Sequence, residues 1–489
     1  MSHKPNSNII SDFFESQFIY KKLLSPFGFI LLALMALGIS YFVYVTDGYG
    51  AYIILIASLG IPILFFCLQQ IEFGILLLFT VSFFILGILR FIDLPLGTLI
   101  DGLVFILLLA TLWRMLLTRD WRVFTEFVGI LILAWIIYNI IQVVNPESTS
   151  KLAWVYSIRG MAVILLLYYV AAYSIKSASF VYIFTEIWIF LALMLSIYGL
   201  FQEFNGLLPF EDQWVRATEE RFLLFYNWGR FRKFSFFSDP TTFGITAAYS
   251  GILCIALALN SPGALRKCYL FLCSGIMLLS MVFSGTRTAY ALLPVAIIFL
   301  ALFTMKRNII IICTVLLTIG AGIILSPIQS LGPLNANNLE RIRSAFLFQE
   351  DPSFNVRLKN QAFIQPYIQK HPIGAGLGSC GVWAKKFTPD SLLANFPPDS
   401  GFVKIAVELG WIGLIIYCAL LFFFMKKGLY NYYFKITDPK LKAYQAAFLT
   451  VLYSIIVANY AQETITMYPT SIITYIVMAV IVNSDRYKT

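Results

Sequence analysis

Charge is what this chain has least of. Charged residues are 12% of its 489 residues and hydrophobic ones 60%, whereas soluble domains run near 25% charged and 45–50% apolar. No soluble fold hides that much apolar surface, so the soluble classes are excluded. Histidine is almost missing: His3 and His371 are the only two, which excludes a His-rich metal site. The seven cysteines show no CxxC spacing, and six of them (Cys67, Cys254, Cys268, Cys273, Cys313, Cys418) fall in apolar segments or at their ends. Cys380 alone lies in a probable loop, so there is no disulfide framework and no zinc knuckle. No Pro- or Ser-rich linker marks off a soluble domain, and no internal repeat is evident.

What remains is a series of apolar runs. They lack the alternation of a transmembrane β-barrel and have the length, about 17–25 residues, that crosses a bilayer as a helix. Spans are expected near 27–46, 50–68, 73–91, 98–117, 126–145, 157–174, 179–203, 241–260, 268–284, 289–305, 308–326, 401–425, 442–461 and 465–484. The sequence therefore predicts an all-α polytopic membrane protein, one transmembrane domain over residues 1–489 with about fourteen spans. The polar start "MSHKPNSNIISDFFESQFIYKK" precedes a full-length apolar run, so 27–46 reads as a retained span and not a signal peptide.

The net charge of +10 follows topology and gives no reason to invoke nucleic acid. With the N-terminus inside, the short inner loops hold "WRMLLTRDWR", "IKS", "LRK", "MKR" and "MKKGLYNYYFKITDPKLK". The short outer loops hold only Arg90, Lys151, Arg159 and Arg287, the asymmetry expected of cytoplasmic basic loops. Both termini are then cytoplasmic. Two long loops, 204–240 and 327–400, fall outside; loops of such length are usually functional or disordered, and these carry aromatics and helical patches. In 354–369, Val356, Phe363, Ile364 and Tyr367 suggest an amphipathic helix.

Four stretches could do chemistry. "FSGTRTAY" puts Arg287 at the outer end of a span, where it either snorkels to headgroups or clamps an anion. "WGRFRKFSFFSDPTTFG" brings Arg230, Arg232 and Lys233 up to a helix start capped by Asp239 or Thr241, and a basic helix N-terminus suits an anion. "NVRLKNQAFIQPYIQKHPIGAGLGS" offers Arg357, then His371 as base or helix cap, then a flexible glycine run. "FPPDSGFVKIAVELGWIGL" delivers Asp399 to the mouth of the next helix, with Lys404 and Glu408 one turn apart and expected to pair. Several arginines, one base and no metal ligands fit a diphosphate-bearing substrate, because arginine grips phosphate with a planar fork.

With "YGLFQEFNG" (198–206), "RKFSFFSDPTTFG" (232–244), "SGTRTAY" (284–290), "HPIGAGLGS" (371–379) and "DSGFVKIAVELGWIGL" (399–414) in that order, the chain resembles the O-antigen polymerase and O-antigen ligase superfamily of bacterial envelope synthesis. The resemblance implies a GT-C-like, metal-independent membrane glycosyltransferase without cofactor. It would sit in the bacterial cytoplasmic membrane and act at its outer face on undecaprenyl-diphosphate-linked oligosaccharides. Membrane lipids, a flippase and a chain-length regulator are the implied partners. Ligases of the family carry a histidine shortly before the helix after the long loop; this chain has Asp399 there. That departure favours a repeat-unit polymerase over a ligase, with Asp399 as base, His371 second, Arg287 catalytic, Arg230, Arg232, Arg287 and Arg357 on the diphosphate, and Lys404 and Glu408 supporting. A lipid-linked oligosaccharide flippase is the further alternative; it should show inverted repeats and broken helices, and the sequence shows neither.

Overall fold

The computed structural model describes residues 25–47, 49–91, 96–227, 229–261, 263–326, 328, 330, 332–346 and 352–487. The polar N-terminal stretch, Trp228 and parts of the 327–400 loop lie outside them. Among the described residues, twelve helices are long and apolar enough to cross a membrane, with shorter apolar helices at Gly60–Gln69 and Thr470–Asn483. The chain is an all-α polytopic membrane protein, and its one sheet among these residues is a two-stranded hairpin.

Two units divide the chain, Met1–Gln69 and Gln70–Thr489. The first contains α1 (Pro26–Val45) and α2 (Tyr49–Gln69). Apolar side chains stand exposed along α1 and over the described part of α2, as expected of surfaces meant for lipid.

The second unit contains α3 (Ile71–Ile88), α4 (Leu96–Thr118), α5 (Phe127–Ile141), α6 (Lys151–Ser174) and α7 (Ala178–Asn205). After these come α8 (Pro209–Arg216), α9 (Glu219–Phe225) and the hairpin β1 (Tyr226–Asn227) and β2 (Arg230–Phe231). Four further helices succeed the hairpin, α10 (Pro240–Asn260), α11 (Ala264–Ser284), α12 (Arg287–Thr304) and α13 (Arg307–Leu325). The long-loop helices are α14 (Ala336–Ser344), α15 (Pro352–Lys370) and α16 (Val382–Phe387), and the chain closes with α17 (Gly401–Phe434), α18 (Pro439–Ala461) and α19 (Thr470–Asn483). The centre is α10, α18 and α19: every residue of α19 is buried, and small residues of α10 (Gly244, Ala247, Ala248, Gly251) let its neighbours close in. Arg159, expected in a loop, lies inside α6 in a π-turn and pairs with Asp101.

Two helices depart from their expected form. α17 is broken at Gly410, whose φ of 70° and ψ of −177° leave the helical region. The carbonyls freed there are taken by other chain segments: Val407 and Glu408 accept from the Ala375 and Gly376 N–H at 2.9 Å each, and Leu409 accepts from the Tyr138 hydroxyl at 2.7 Å. A Cβ on Gly410 would meet the Pro372 carbonyl oxygen at 2.0 Å. "HPIGAGLGS" and "ELGWIG" are therefore two halves of one contact, which seals a broken helix that the sequence does not reveal. The second departure is in α15. Ile364 is buried, with Tyr367 packed beside it, while Val356 and Phe363 are exposed, so the apolar stripe is narrower than its four residues suggested.

Candidate functional site: a basic cleft beside an acidic one

The 204–240 loop is folded. Val215, Phe225 and Phe234 form a small core of their own. Glu211 is buried and accepts from Tyr198, Gln202 and the Leu208 N–H at 3.0, 2.7 and 3.1 Å. Arg90 reaches in from the end of α3, donating to the carbonyls of Ser235 (2.8 Å) and Phe237. Burial pulls the Arg90 guanidinium down to about 10, and the Glu211 carboxylate opposes that shift. Gln202 accepts from the Ser235 N–H at 2.9 Å. The motif "YGLFQEFNG" thus supplies the anchor that fixes where residues 232–238 run.

That path delivers Arg232. Its Nε donates to the Ser284 carbonyl at 2.9 Å and its Nη2 to the Thr286 hydroxyl at 3.1 Å, so the guanidinium rests on the end of α11. Asp239 caps α10, accepting from the Thr241 and Thr242 N–H groups at 2.8 and 2.9 Å. The Asp239 carboxylate is therefore committed to the helix start.

α11 ends at Gly285, which takes the left-handed conformation (φ 63°) open to glycine. The lack of a side chain has a second use: a Cβ there would meet the Arg341 Nη1 at 2.6 Å. Arg341, on α14, is 6% exposed, and burial lowers its guanidinium from the ordinary value. Arg287 is the first residue of α12, whose first turn has no acidic residue. A cation at the positive end of a helix is unfavourable by itself and favours an anion.

Arg232, Arg287 and Arg341 line one cleft of about 360 Å³ with Arg357 of α15. Among the described residues lining it there is no Asp or Glu. Burial, and after it the neighbouring Arg341 charge, brings the Arg232 guanidinium down to about 10; Asp239 opposes this and Arg287 adds to it. Arg232 therefore remains cationic at neutral pH. Part of the remaining wall is apolar and comes from α12 and α18 (Ala291, Leu292, Val457) and from Leu358.

A second cleft, about 310 Å³, shares Thr241 and Gln462 with the first. Asp239, Asp399 and Glu463 line it, and among its described lining residues there is no Lys or Arg. Pro397 and Pro398 lead into Asp399, whose Oδ2 accepts from Asn360 of α15 at 3.1 Å. Because α15 also supplies Arg357 to the basic cleft, one helix ties the two walls together.

The other sequence candidates are placed elsewhere. Arg230 lines neither cleft; it pairs with Glu203 at 2.6 Å and donates to Asn338. His371 also lies outside both: its ring stacks on Tyr367 and Nδ1 lies 2.8 Å from the Tyr367 carbonyl oxygen, just past the end of α15. Lys404 and Glu408 do not pair. The Lys404 ammonium is 2.6 Å from Glu463, while Glu408 is fully buried and accepts from the Cys380 thiol at 3.4 Å. The one-turn spacing is real, but Glu463 reaches Lys404 from the turn after α18. Arg341 and Glu463 were not singled out in the sequence. For Arg341 the available signal was the basic "ERIR" inside a long loop; for Glu463 it was a carboxylate in the polar break "QETITMYP" between apolar runs.

A family model described as O-antigen ligase matches residues 272–418. The matched stretch contains Arg287, Arg341, Arg357 and Asp399; Arg232 and Glu463 lie outside it. No curated protein matches the chain.

Proposed function

We propose, from the premise that this chain belongs to the O-antigen ligase and polymerase superfamily, that it is a polymerase joining lipid-linked oligosaccharide repeat units. The observation that carries this reading is the pairing of a four-arginine cleft with a carboxylate-lined cleft across the shared Thr241 and Gln462. The donor is a saccharide on a polyprenyl diphosphate, of which undecaprenyl diphosphate is the expected form. Its diphosphate lies among Arg232, Arg287, Arg341 and Arg357, and its lipid runs along the apolar wall of the same cleft.

The acceptor sugar occupies the acidic cleft, with the attacking hydroxyl toward Asp399. As that oxygen bonds to the anomeric carbon, Asp399 takes its proton, the work of a general base. The bond from the anomeric carbon to the diphosphate oxygen breaks, and the arginines hold the negative charge that collects on the leaving group. Asn360 fixes the Asp399 carboxylate in place. The reaction takes place at the outer face of the cytoplasmic membrane, with residues 204–240 and 327–400 on that side.

Purified protein incubated with undecaprenyl-diphosphate-linked repeat units tests the reading. A ladder of products is expected. A single transfer to a distinct acceptor would make it a ligase, and intact substrate moved across a vesicle membrane would make it a transporter.

A further inference from the structure

The proposed chemistry uses Asp399, and Asp239 caps α10, which leaves the third carboxylate facing the same cleft unexplained. Glu463 sits on the turn that ends α18. That turn is built by Asn459, whose side-chain oxygen accepts the Thr464 and Ile465 N–H groups at 3.1 and 3.3 Å. Gly401 gives Asn459 room, since a Cβ there would meet the Asn459 Oδ1 at 2.4 Å. Lys404 then holds the Glu463 Oε2 at 2.6 Å. The side chains of both partners are 17% exposed. A long, mobile side chain is thus pinned at the wall of a cavity, next to Thr464 and Met467.

Resting on the reading above, we infer that Glu463 is the specificity-determining residue of the acceptor site, selecting a sugar that presents hydroxyl or ammonium groups and rejecting one that carries a carboxylate. A fixed carboxylate accepts hydrogen bonds from sugar hydroxyls, and those bonds are stronger than neutral ones. A uronic acid brings like charge against Glu463 and Asp399, and like-charge juxtaposition works against the wrong partner. Lys404 does not reverse the sign, because it lies outside the cleft lining and the Glu463 carboxylate is the charge that faces a bound sugar. The basic cleft has the opposite preference, so an acidic sugar is tolerated near the donor diphosphate and refused at the acceptor.

The experiment measures polymerisation of lipid-linked repeat units by the purified protein in the presence of methyl glycosides of glucose, glucosamine and glucuronic acid as competitors. Glucose and glucosamine glycosides should inhibit at concentrations on the order of tenfold or more below the glucuronide. In Glu463→Gln one like charge leaves the cleft wall while those of Asp239 and Asp399 stay, and the glucuronide's disadvantage should shrink. Thermal stabilisation by added undecaprenyl diphosphate, read on the same variant, reports a folded protein with its basic cleft intact. Equal inhibition by all three, or inhibition by none, overturns the inference while polymer formation keeps the proposed function standing. The same holds if the wild-type preference persists unchanged in Glu463→Gln. Absence of any polymer from the wild type overturns the proposed function itself.

Discussion

The two clefts share Thr241 and Gln462 yet differ in how their charge is held. In the acidic cleft each carboxylate has a protein partner: Asp239 caps a helix, Asp399 accepts from Asn360, and Glu463 pairs with Lys404. In the basic cleft four guanidinium groups face a described lining without a carboxylate. Arg232 is braced by carbonyl and hydroxyl oxygens, which satisfy its donors but leave its charge. The charged residues of one described lining are all acidic and those of the other all basic, so the two walls suit ligand groups of opposite charge.

The comparison breaks most sharply at Asp399. Asp399→Asn keeps the shape and removes the base, so chain growth should fall by about 10²–10⁴-fold while donor binding survives; a variant with wild-type turnover would show that positioning alone suffices. Arg287→Lys keeps the charge and loses the fork. Turnover should fall on the order of 10²-fold, as for removal of one donor to a developing oxyanion, and unchanged turnover would rule out bidentate recognition.

A milder effect is expected from pH. The Arg232 guanidinium, lowered by burial to about 10, is charged below that value and loses its proton as pH rises through it. Undecaprenyl diphosphate binding should therefore be flat from about pH 7 to 9 and weaken beyond about pH 10, a window set by that lowered value against an ordinary arginine. Weakening that begins below pH 8 would point to a different cation. The smallest effect belongs to His371→Ala. Since His371 lines neither cleft, activity measured on lipid-linked repeat units should stay within about twofold, typical of a site away from the chemistry; loss of polymer would return His371 to the base role.

The helices were legible because an apolar run of bilayer length is a local property of the sequence. Arg232, Arg287 and Arg357, picked from three separate stretches, meet in one cleft, since charge in an apolar chain stands out wherever it occurs. Pairings were not legible. Arg230 and Arg232 read alike in "GRFRK", yet Glu203 claims one and the end of α11 receives the other, a difference made by the path of the folded loop. Lys404 and Glu408 have ideal spacing, but a residue more than fifty positions away takes the lysine. The role of Gly285 depends on Arg341, and that of Gly410 on Pro372. Such close approaches join distant segments and leave only a glycine as their trace.

The shortness of α19 has a consequence for depth. Fourteen residues rise about 21 Å at 1.5 Å each, some 9 Å less than a hydrocarbon layer of about 30 Å. Residues 462–469 make up the difference with polar, non-helical chain, and that chain supplies Gln462, Glu463, Thr464 and Met467 to the clefts. On the proposed function, the clefts would then lie partly within the span of α18 and its neighbours. A lipid-borne substrate would meet it by sliding sideways at its own level in the leaflet, with its polyprenyl chain still immersed among the surrounding lipids.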